Sequence, residues 1–258
     1  MMKRILFTGF VVLLSACQSL TPVITPSTTI TPTAAITLTP SPSATVEWFP
    51  PTSTIEILPT SQPPPTQSVF MELGEVIFRD DFIDSEGWTV PQLDLGEINI
   101  GGGEANIIIN EPPAFLVGTR DKPDLRDFYA EITVSPILCE EKDEYGFLFR
   151  VSGRSQYYRF VITCSGEVRL DKIFSGGGTI LYPLTRSASV PVGAPSVSKI
   201  AVLAEGDQLH LFINGDYQTS VRDQQFQRGT FGIYARSAGD SAITVSFTEL
   251  VIREILQK

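Results

Sequence analysis

Three segments, YGFLFRV (145–151), QYYRFVITC (156–164) and EVRLDKIF (167–174), decide the fold class of this chain. In each segment apolar and polar residues alternate, so one face of an extended strand is apolar and the other carries the polar side chains. Short turns such as Ser165-Gly166 separate the segments. Consecutive alternating segments joined by short turns predict an antiparallel β-sheet.

The same pattern continues on both sides of these segments. Asn214-Gly215 lies between two alternating runs and is a strong signal for a β-hairpin. No long stretch has the periodicity of a helix. Further strands are predicted over 75–82, 105–110, 128–135, 198–204, 208–213, 217–221, 230–235 and 243–253. Many short strands separated by glycine-rich turns predict an all-β sandwich or barrel.

The alternation also predicts a shared outer face. We expect 128–135 and the three opening segments to be successive strands of one sheet. Their outward residues are Tyr129, Glu131, Arg150, Tyr157, Arg159, Arg169 and Asp171, and His210 points outward on a later strand. Aromatic rings stack on sugars and charged groups hydrogen-bond hydroxyls, so this set is a candidate carbohydrate-binding face. The alternative is a ladder of ion pairs, such as Glu131 with Arg150 and Arg159 with Asp171, and an ordinary exposed histidine.

Residues 1–17 have the layout of a bacterial export signal. Lys3 and Arg4 precede an apolar run over 5–14, which is shorter than the roughly 20 residues that span a bilayer. Leu14-Ser15-Ala16-Cys17 resembles the lipobox of bacterial lipoproteins. The resemblance implies cleavage before Cys17, a lipid on its sulfur, and an exported protein that is anchored to the cell membrane and faces outside. The alternative is an ordinary signal peptide with an incidental cysteine.

The composition divides the rest of the chain in two. Residues 18–68 are rich in threonine, proline and serine, which predicts a disordered, largely extended linker. Residues 69–258 are long enough for one sandwich domain. Before position 69 the chain has two basic and two acidic residues, so the domain carries the whole net charge of −10. This charge opposes binding to nucleic acid and direct contact with anionic lipid.

Two cysteines remain once Cys17 is assigned to the anchor. Cys139 and Cys164 form an even pair in a domain predicted to be exported, and this predicts a disulfide. Two free thiols are the alternative. Neither cysteine has the C-x-x-C spacing of a redox or zinc site.

Several longer motifs resemble those of the concanavalin A-like lectin/glucanase superfamily, with laminin-G-like domains and the 3-keto-disaccharide hydrolase (DUF1080) group as the closest branches. The motifs are FRDDFIDSEGW (78–88), EYGFLFR (144–150), YYRFVI (157–162), KIAVLAEGDQLHLFING (199–215) and GTFGIYA (229–235). The resemblance implies a jelly-roll sandwich of two curved antiparallel sheets, with ligands on the concave face or on rim loops. Because the motifs are structural, they specify a fold better than an activity.

The resemblance also directs attention to two kinds of chemistry. Glucanases of the superfamily carry their carboxylates on one strand, whereas the acidic run here, 140–144, lacks that spacing and is predicted to be a loop. Many domains of the superfamily bind calcium, and Asp80, Asp81, Asp84 and Asp240 are the candidate ligands, without the spacing of an EF-hand. No cofactor is required by any motif.

The sequence therefore favours non-catalytic binding of a cell-wall or extracellular glycan. Two alternatives remain open, a glycoside hydrolase of the DUF1080 kind and a module that binds a cell-surface protein. The first alternative needs a carboxylate cluster on the concave face, and the second predicts an exposed apolar patch. The sequence contains no signal for an oligomeric state.

Overall fold

The computed structural model describes residues 72–256, which form an all-β sandwich of two antiparallel sheets. The predicted export signal, the predicted lipidation site Cys17 and the linker predicted over 18–68 lie outside the described residues. Within the described part of the chain, no helix is long and apolar enough to cross a membrane.

Fifteen strands make up the described part of the chain. They are β1 (Leu73–Asp80), β2 (Trp88–Thr89), β3 (Gly96–Gly101), β4 (Glu104–Ile109), β5 (Ala114–Arg120), β6 (Phe128–Leu138), β7 (Glu144–Val151), β8 (Tyr157–Thr163), β9 (Glu167–Phe174), β10 (Gly177–Arg186), β11 (Ser198–Glu205), β12 (Gln208–Ile213), β13 (Asp216–Arg222), β14 (Thr230–Ser237) and β15 (Ile243–Ile255). The sequence prediction has a counterpart for each of them except β2, β3, β5 and β10. β2 has two residues, β3 and β10 lie at sheet edges, and β5 has no clear alternation.

The strands form one eight-stranded and one seven-stranded sheet. The eight-stranded sheet runs β13-β12-β11-β6-β15-β4-β3, with β1 paired to the later part of β15. The seven-stranded sheet runs β10-β9-β8-β7-β14-β5-β2. This is the jelly-roll sandwich that the resemblance implies, and the fold class is confirmed.

One expectation about the sheets is wrong. β6 lies in the eight-stranded sheet, whereas β7, β8 and β9 are neighbours in the seven-stranded sheet. The chain therefore crosses from one sheet to the other in the turn between β6 and β7, instead of continuing a four-stranded meander. Alternation shows which residues of a strand share a face, but it does not show to which sheet the strand belongs.

The inner faces of both sheets meet in a single apolar core. Phe128 from the eight-stranded sheet packs edge-on against Phe231 from the seven-stranded sheet, with ring centroids 5.0 Å apart. Phe147 stacks on the same Phe231 at 5.8 Å, and Phe149 stacks on Tyr158 at 5.3 Å. All five rings are fully buried. The inward positions predicted for β7 and β8 are therefore confirmed at these residues.

Two local features match the sequence prediction. Asn214 and Gly215 form the tight β12–β13 hairpin turn, both with positive φ (53° and 84°), as an Asn-Gly turn requires. Cys139 and Cys164 are joined in a disulfide with Cα atoms 6.2 Å apart. Cys139 follows β6 and Cys164 follows β8, so this disulfide ties the two sheets together at one end of the sandwich.

Candidate functional site

The outer face of the seven-stranded sheet carries a dense polar cluster, which we call the arginine face. It consists of Glu144 on β7, Tyr157 and Arg159 on β8, Arg169 and Asp171 on β9, and Tyr234 and Arg236 on β14. The register brings these strands side by side, with Arg159 opposite Asp171 and Arg236 opposite Glu144. Alternation turns their neighbours Phe160, Leu170 and Ala235 into the core.

Arg169 holds the cluster together. Its two terminal nitrogens donate to the two oxygens of Glu144, both at 3.0 Å, and its Nε donates to Oδ1 of Asp171 at 2.8 Å. The side chains are little exposed, at 14% for Arg169, 7% for Glu144 and 5% for Asp171. Burial alone disfavours the charged form of Glu144, but the hydrogen bonds and charge of Arg169 outweigh it and lower the pKa of Glu144. Burial likewise opposes the charged form of Arg169, whereas Glu144 and Asp171 raise its pKa.

Arg159 extends the cluster across the sheet. Its Nε and Nη2 donate to Oδ2 of Asp171 at 3.1 and 2.7 Å, and its guanidinium lies 4.4 Å from the ring centroid of Tyr234. The phenol of Tyr234 donates to Glu144 at 3.1 Å. This confirms the Arg159–Asp171 ion pair that the sequence analysis gave as an alternative to ligand binding. Within residues 72–256 no acceptor lies within hydrogen-bond distance of Nη1 of Arg159, and this nitrogen is not buried.

An apolar layer lies beneath the charged groups on the same outer face. Leu148 and Val161 are fully buried although they point away from the core, and Tyr157 is 7% exposed. Arginine stems and aromatic rings cover these side chains. The arginine face is therefore a rigid surface whose central charged groups, Arg159, Arg169, Glu144 and Asp171, are held by their neighbours.

The outer face of the eight-stranded sheet holds the other predicted residues, and we call it the Tyr129 face. Tyr129 donates to Glu131 at 2.9 Å, and Lys199 donates to the other oxygen of Glu131 at 3.1 Å. Burial and the nearby Glu131 carboxylate raise the pKa of Tyr129. His210 contacts the hydroxyl of Ser220 through Nδ1 at 2.7 Å, and burial lowers the pKa of His210.

The predicted site is therefore split. Tyr129, Glu131 and His210 lie on one outer surface of the sandwich, whereas Tyr157, Arg159, Arg169 and Asp171 lie on the other. The single eight-residue face expected from the sequence is wrong, because it required β6 to be in the same sheet as β7, β8 and β9. For the same reason Glu131 pairs with Lys199 and not with Arg150.

Arg150 corrects a further expectation, because it does not reach the outer face. Its φ is +50°, and the β7–β14 ladder has a register shift at this point. The side chain is fully buried and donates to the backbone carbonyls of Phe226 and Arg126 at 3.0 and 2.9 Å. Burial lowers the pKa of this guanidinium. Arg150 therefore secures the loop before β14.

The structure does not bring the four predicted calcium ligands together. Asp80 binds Arg120 in a salt bridge of 2.5 Å and accepts hydrogen bonds from Phe82 N and Trp88 Nε1 at 2.8 and 2.9 Å. Asp81 and Asp84 line a cleft of about 530 Å3 nearby, but within residues 72–256 no three acidic, histidine or cysteine side chains group as metal ligands do. Asp240 precedes β15, whereas Asp80 pairs with Leu250, so roughly 20 Å of strand separates them.

Sequence reasoning missed four residues at or beside the arginine face. Glu144 was assigned to an acidic loop although it begins β7, and Tyr234 and Arg236 lie in a strand for which no outward residues were considered. Phe115 lies on the unpredicted strand β5, opposite Arg236, and is 60% exposed. Applying the alternation to the whole of 229–237 identifies Tyr234 and Arg236, but no sequence signal marks β5.

Phe115 borders an open apolar cleft of about 410 Å3 at the edge of the sheet. Pro91, Leu93, Leu95 and Pro113 also line this cleft. Leu93 and Leu95 are 50% and 41% exposed. Within residues 72–256, β2 pairs only with Thr119 and Arg120, so the first part of β5 has no partner strand on this side.

A larger cleft, of about 640 Å3, lies at the end of the sandwich beside the disulfide. The turn 140–143, Ser165 and Arg186 line it together with Cys139 and Cys164. Asp143 in this turn is buried and accepts from the backbone N–H groups of Glu140 and Ala238 at 2.8 and 2.9 Å. Its carboxylate therefore shapes the turn and is not directed into the cleft as a free acid.

The carboxylates of the arginine face are poorly suited to glycoside hydrolysis. A general acid in a glycosidase needs a raised pKa, whereas the pKa of Glu144 is lowered. Asp171 binds two arginines, and Glu131 binds Lys199 on the opposite surface. The two carboxylates that the hydrolase hypothesis depends on are thus paired with cations on opposite sides of the sandwich.

Many solved structures share this fold, although none of the comparisons identifies a family. No family model and no curated protein matches this chain. The carbohydrate-binding module CBM66 from Bacillus subtilis is similar with a TM-score of 0.54 and 15% identity, over 65% of this chain and 96% of the module. A Bacillus subtilis protein of unknown function with a galectin-like fold has a TM-score of 0.58 and 11% identity, over 73% of this chain and 100% of that one.

A third solved structure is an enzyme. The β-glucanase of Bacillus licheniformis has a TM-score of 0.53 and 10% identity, over 70% of this chain and 98% of the enzyme. At these identities the likeness shows the fold alone. The chain therefore has the jelly-roll fold shared by galectin-like and concanavalin A-like sandwiches.

Proposed function

We propose that this protein is an exported, lipid-anchored carbohydrate-binding protein without catalytic activity, and that the arginine face is its binding surface. The observation that carries the proposal is the rigid array of Arg159 and Arg169. Asp171 binds both guanidiniums, Glu144 binds that of Arg169, and the ring of Tyr234 lies against that of Arg159. The side chains of Arg159 and Arg169 are 16% and 14% exposed. A ligand that binds such a surface does not have to order flexible side chains first.

The chemistry of the array suits sugar hydroxyls. A guanidinium has five N–H donors, and Arg159 uses two of them on Asp171, so Nη1 remains available to a ligand. Planar charged groups bind neighbouring hydroxyls in pairs, and aromatic rings bind the C–H faces of sugars. Tyr157 lies beside Arg159 on the same strand but is only 7% exposed, so the guanidiniums and not this ring carry the proposed contact.

Two of the similar structures support this choice of ligand class. One is described as a carbohydrate-binding module, and another as a β-glucanase. Binding is favoured over hydrolysis in the present chain because the Glu144 carboxylate, with its lowered pKa, is held in its charged form and cannot serve as a proton donor near neutral pH.

The binding proposal is tested on the purified full-length chain with a panel of soluble neutral and acidic polysaccharides, by affinity electrophoresis and calorimetry. Arg159→Gln removes the guanidinium from the arginine face, and Lys199→Gln is the matched control on the Tyr129 face. We expect at least one polysaccharide to bind and Arg159→Gln to weaken it by about tenfold, with Lys199→Gln within about twofold.

Two results would contradict the binding proposal. One is that the folded protein binds none of the polysaccharides. The other is that Lys199→Gln abolishes binding and Arg159→Gln does not, which would move the site to the opposite face.

The anchor is tested separately in bacterial cells. The wild-type chain is expected in the membrane fraction with an incorporated fatty acid label, and Cys17→Ser is expected to lose both the label and the membrane association. The proposal fails if the Cys17→Ser chain stays in the membrane fraction with the label unchanged.

A further inference from the structure

We infer that the ligand of the arginine face is an acidic polysaccharide, bound through a uronic acid residue whose carboxylate pairs with Arg236 and whose ring stacks on Phe115. This inference rests on the proposed function and adds the class of sugar. It comes from three observations at the β5–β14 edge of the face: an under-used cation, an exposed aromatic ring, and the way the sheet places them side by side.

Arg236 is the under-used cation. Its only carboxylate partner within residues 72–256 is Glu144 at 3.5 Å, and Glu144 is already bound through both oxygens by Arg169 at 3.0 Å. The side chain of Arg236 is 47% exposed, against 14% for Arg169. Arg169 is thus the main partner of the Glu144 carboxylate, and the guanidinium of Arg236 can bind an anion from solution.

The other charged groups of this face do not compete for the same position. Arg186 on β10 and its ladder partner Glu167 on β9 lie on the far side of β7 and β8 from β14. The acidic turn 140–143 precedes Glu144, and the chain as a whole has a net charge of −10. The attraction for an anion at this edge is therefore assigned to Arg236 itself and not to a positively charged face.

Phe115 is the exposed ring. It lies directly opposite Arg236 in the β5–β14 ladder, and 60% of it is accessible. It borders the apolar cleft lined by Pro91, Leu93 and Pro113, so one side of the ring continues into an apolar surface. An exposed phenylalanine beside a cleft of this kind offers a stacking platform for the C–H face of a sugar.

The spacing of the pair matches a uronic acid. Side chains directly opposite each other in an antiparallel ladder have Cβ atoms about 5 Å apart. In a uronic acid the carboxylate is attached directly to the sugar ring. The distance between its charged group and its apolar face is therefore similar to the distance between Arg236 and Phe115. A neutral sugar offers the ring without the charge, and an acidic peptide offers the charge without the saturated ring.

The test uses one polysaccharide in two charge states. Polygalacturonate and its fully methyl-esterified form share a backbone and differ in the carboxylate charge, and poly-glutamate serves as a polyanion without sugar rings. The full-length chain is measured by calorimetry with the variants Arg236→Gln and Phe115→Ala. The controls Arg222→Gln and Val197→Ala remove an exposed arginine and an exposed apolar side chain far from this edge, with 71% and 59% of those groups accessible.

We expect polygalacturonate to bind at least about tenfold more tightly than the esterified form, since the charge-assisted hydrogen bonds are lost on esterification. Arg236→Gln should remove this preference, and Phe115→Ala should weaken both forms. The two control variants should bind as the wild type does. Arg236 and Phe115 are exposed, so both variants are expected to stay folded, and circular dichroism checks this.

Three outcomes would overturn the inference. Equal binding of both forms, or binding of neutral polysaccharides that is unaffected by Arg236→Gln, would overturn it and leave the proposed function standing. If poly-glutamate binds as tightly as polygalacturonate, the face recognises negative charge alone and not a sugar ring, and the inference is wrong. A folded protein that binds no polysaccharide would overturn both the inference and the proposed function.

Discussion

The two outer faces of this sandwich use the same types of residue in different ways. On the arginine face Arg169 binds Glu144 and Asp171 at once, and these three side chains are 5–14% exposed. On the Tyr129 face Lys199 binds Glu131 at 3.1 Å, with 51% and 30% of the two side chains accessible. One face has a connected, nearly desolvated cluster, whereas on the other the Lys199–Glu131 pair is exposed and shares its carboxylate only with the Tyr129 hydroxyl.

The difference follows from the number of partners and from access to solvent. An exposed lysine–carboxylate pair gains little, because water and salt screen the charges and both side chains lose freedom. A guanidinium with five fixed donors can serve two carboxylates, and each bond is stronger where water is excluded. The stability that an ion pair contributes thus depends less on its position on the sheet than on whether neighbouring charged groups bind the same side chains.

The largest expected effect is the loss of the central arginine. Arg169→Met should lower the free energy of unfolding by about 3 kcal/mol, because it leaves the buried Glu144 carboxylate without its main partner. Lys199→Met on the Tyr129 face should lower it by less than about 1 kcal/mol. Urea denaturation followed by tryptophan fluorescence measures both. Equal losses in the two variants would show that the comparison between the faces is wrong.

Removal of the disulfide tests whether each face is held by its own sheet. The bridge closes a separation of 25 residues, and in the chain-entropy model it contributes about 3 kcal/mol. We expect Cys139→Ala with Cys164→Ala to lower the free energy of unfolding by about this amount while polysaccharide binding to the arginine face stays the same. A loss of binding in the folded variant would mean that the tie between the sheets also shapes the face.

The sequence predicted the faces of individual strands better than their assembly. In β8, Phe160 and Ile162 point inward and Arg159 points outward, as the alternation indicated. The same alternation in β6 could not show that the strand joins the other sheet, because period two assigns residues to the faces of a strand and leaves its neighbours undefined. The sequence therefore predicted Tyr129 and Glu131 on the same face as Arg159 and its neighbours, whereas the two groups lie on opposite outer faces of the sandwich.

A local irregularity caused the error at Arg150. Its positive φ and the register shift in the β7–β14 ladder turn the side chain to the other side of the strand. A one-residue irregularity reverses every inward and outward assignment that follows it. Gly229 contributes to this arrangement, since a Cβ there would lie 2.3 Å from the carbonyl carbon of Arg150. Nothing in the alternation of 145–151 announces the shift.

Each face also has one tyrosine hydroxyl that donates to a carboxylate, and removal of these two hydroxyls compares the faces through a smaller change in stability. Tyr234→Phe removes the bond to Glu144 and should lower the free energy of unfolding by about 1.5 kcal/mol, because the ring is 1% exposed and the acceptor is charged. Tyr129→Phe removes the bond to Glu131 and should cost less than about 1 kcal/mol, since that carboxylate is 30% exposed. Urea denaturation of the two variants checks the order, and a larger loss for Tyr129→Phe would reverse it.

The smallest expected effect is a difference in the pH range over which each face loses stability. Burial lowers the pKa of His210 from its ordinary value of 6.5, so below that pH the unfolded chain takes up a proton more readily than the folded one. Stability should therefore decrease as the pH falls through 6.5, and His210→Asn should remove this step.

Glu144 should lose its contribution at a lower pH. Burial opposes its charged form, but Arg169 outweighs burial and lowers the pKa of Glu144 below the ordinary 4.5. The stability that Glu144 contributes is therefore complete above pH 4.5 and is lost as the pH falls below it. Urea midpoints measured from about pH 7.5 to about pH 3.5 should show both steps in the wild type. Glu144→Gln should reduce the second step and leave the first, since Asp223 and Glu104, whose pKa values are also lowered, still contribute to the loss in acid. A single step that both substitutions remove would mean that the two faces titrate as one unit, which their separation by the core forbids.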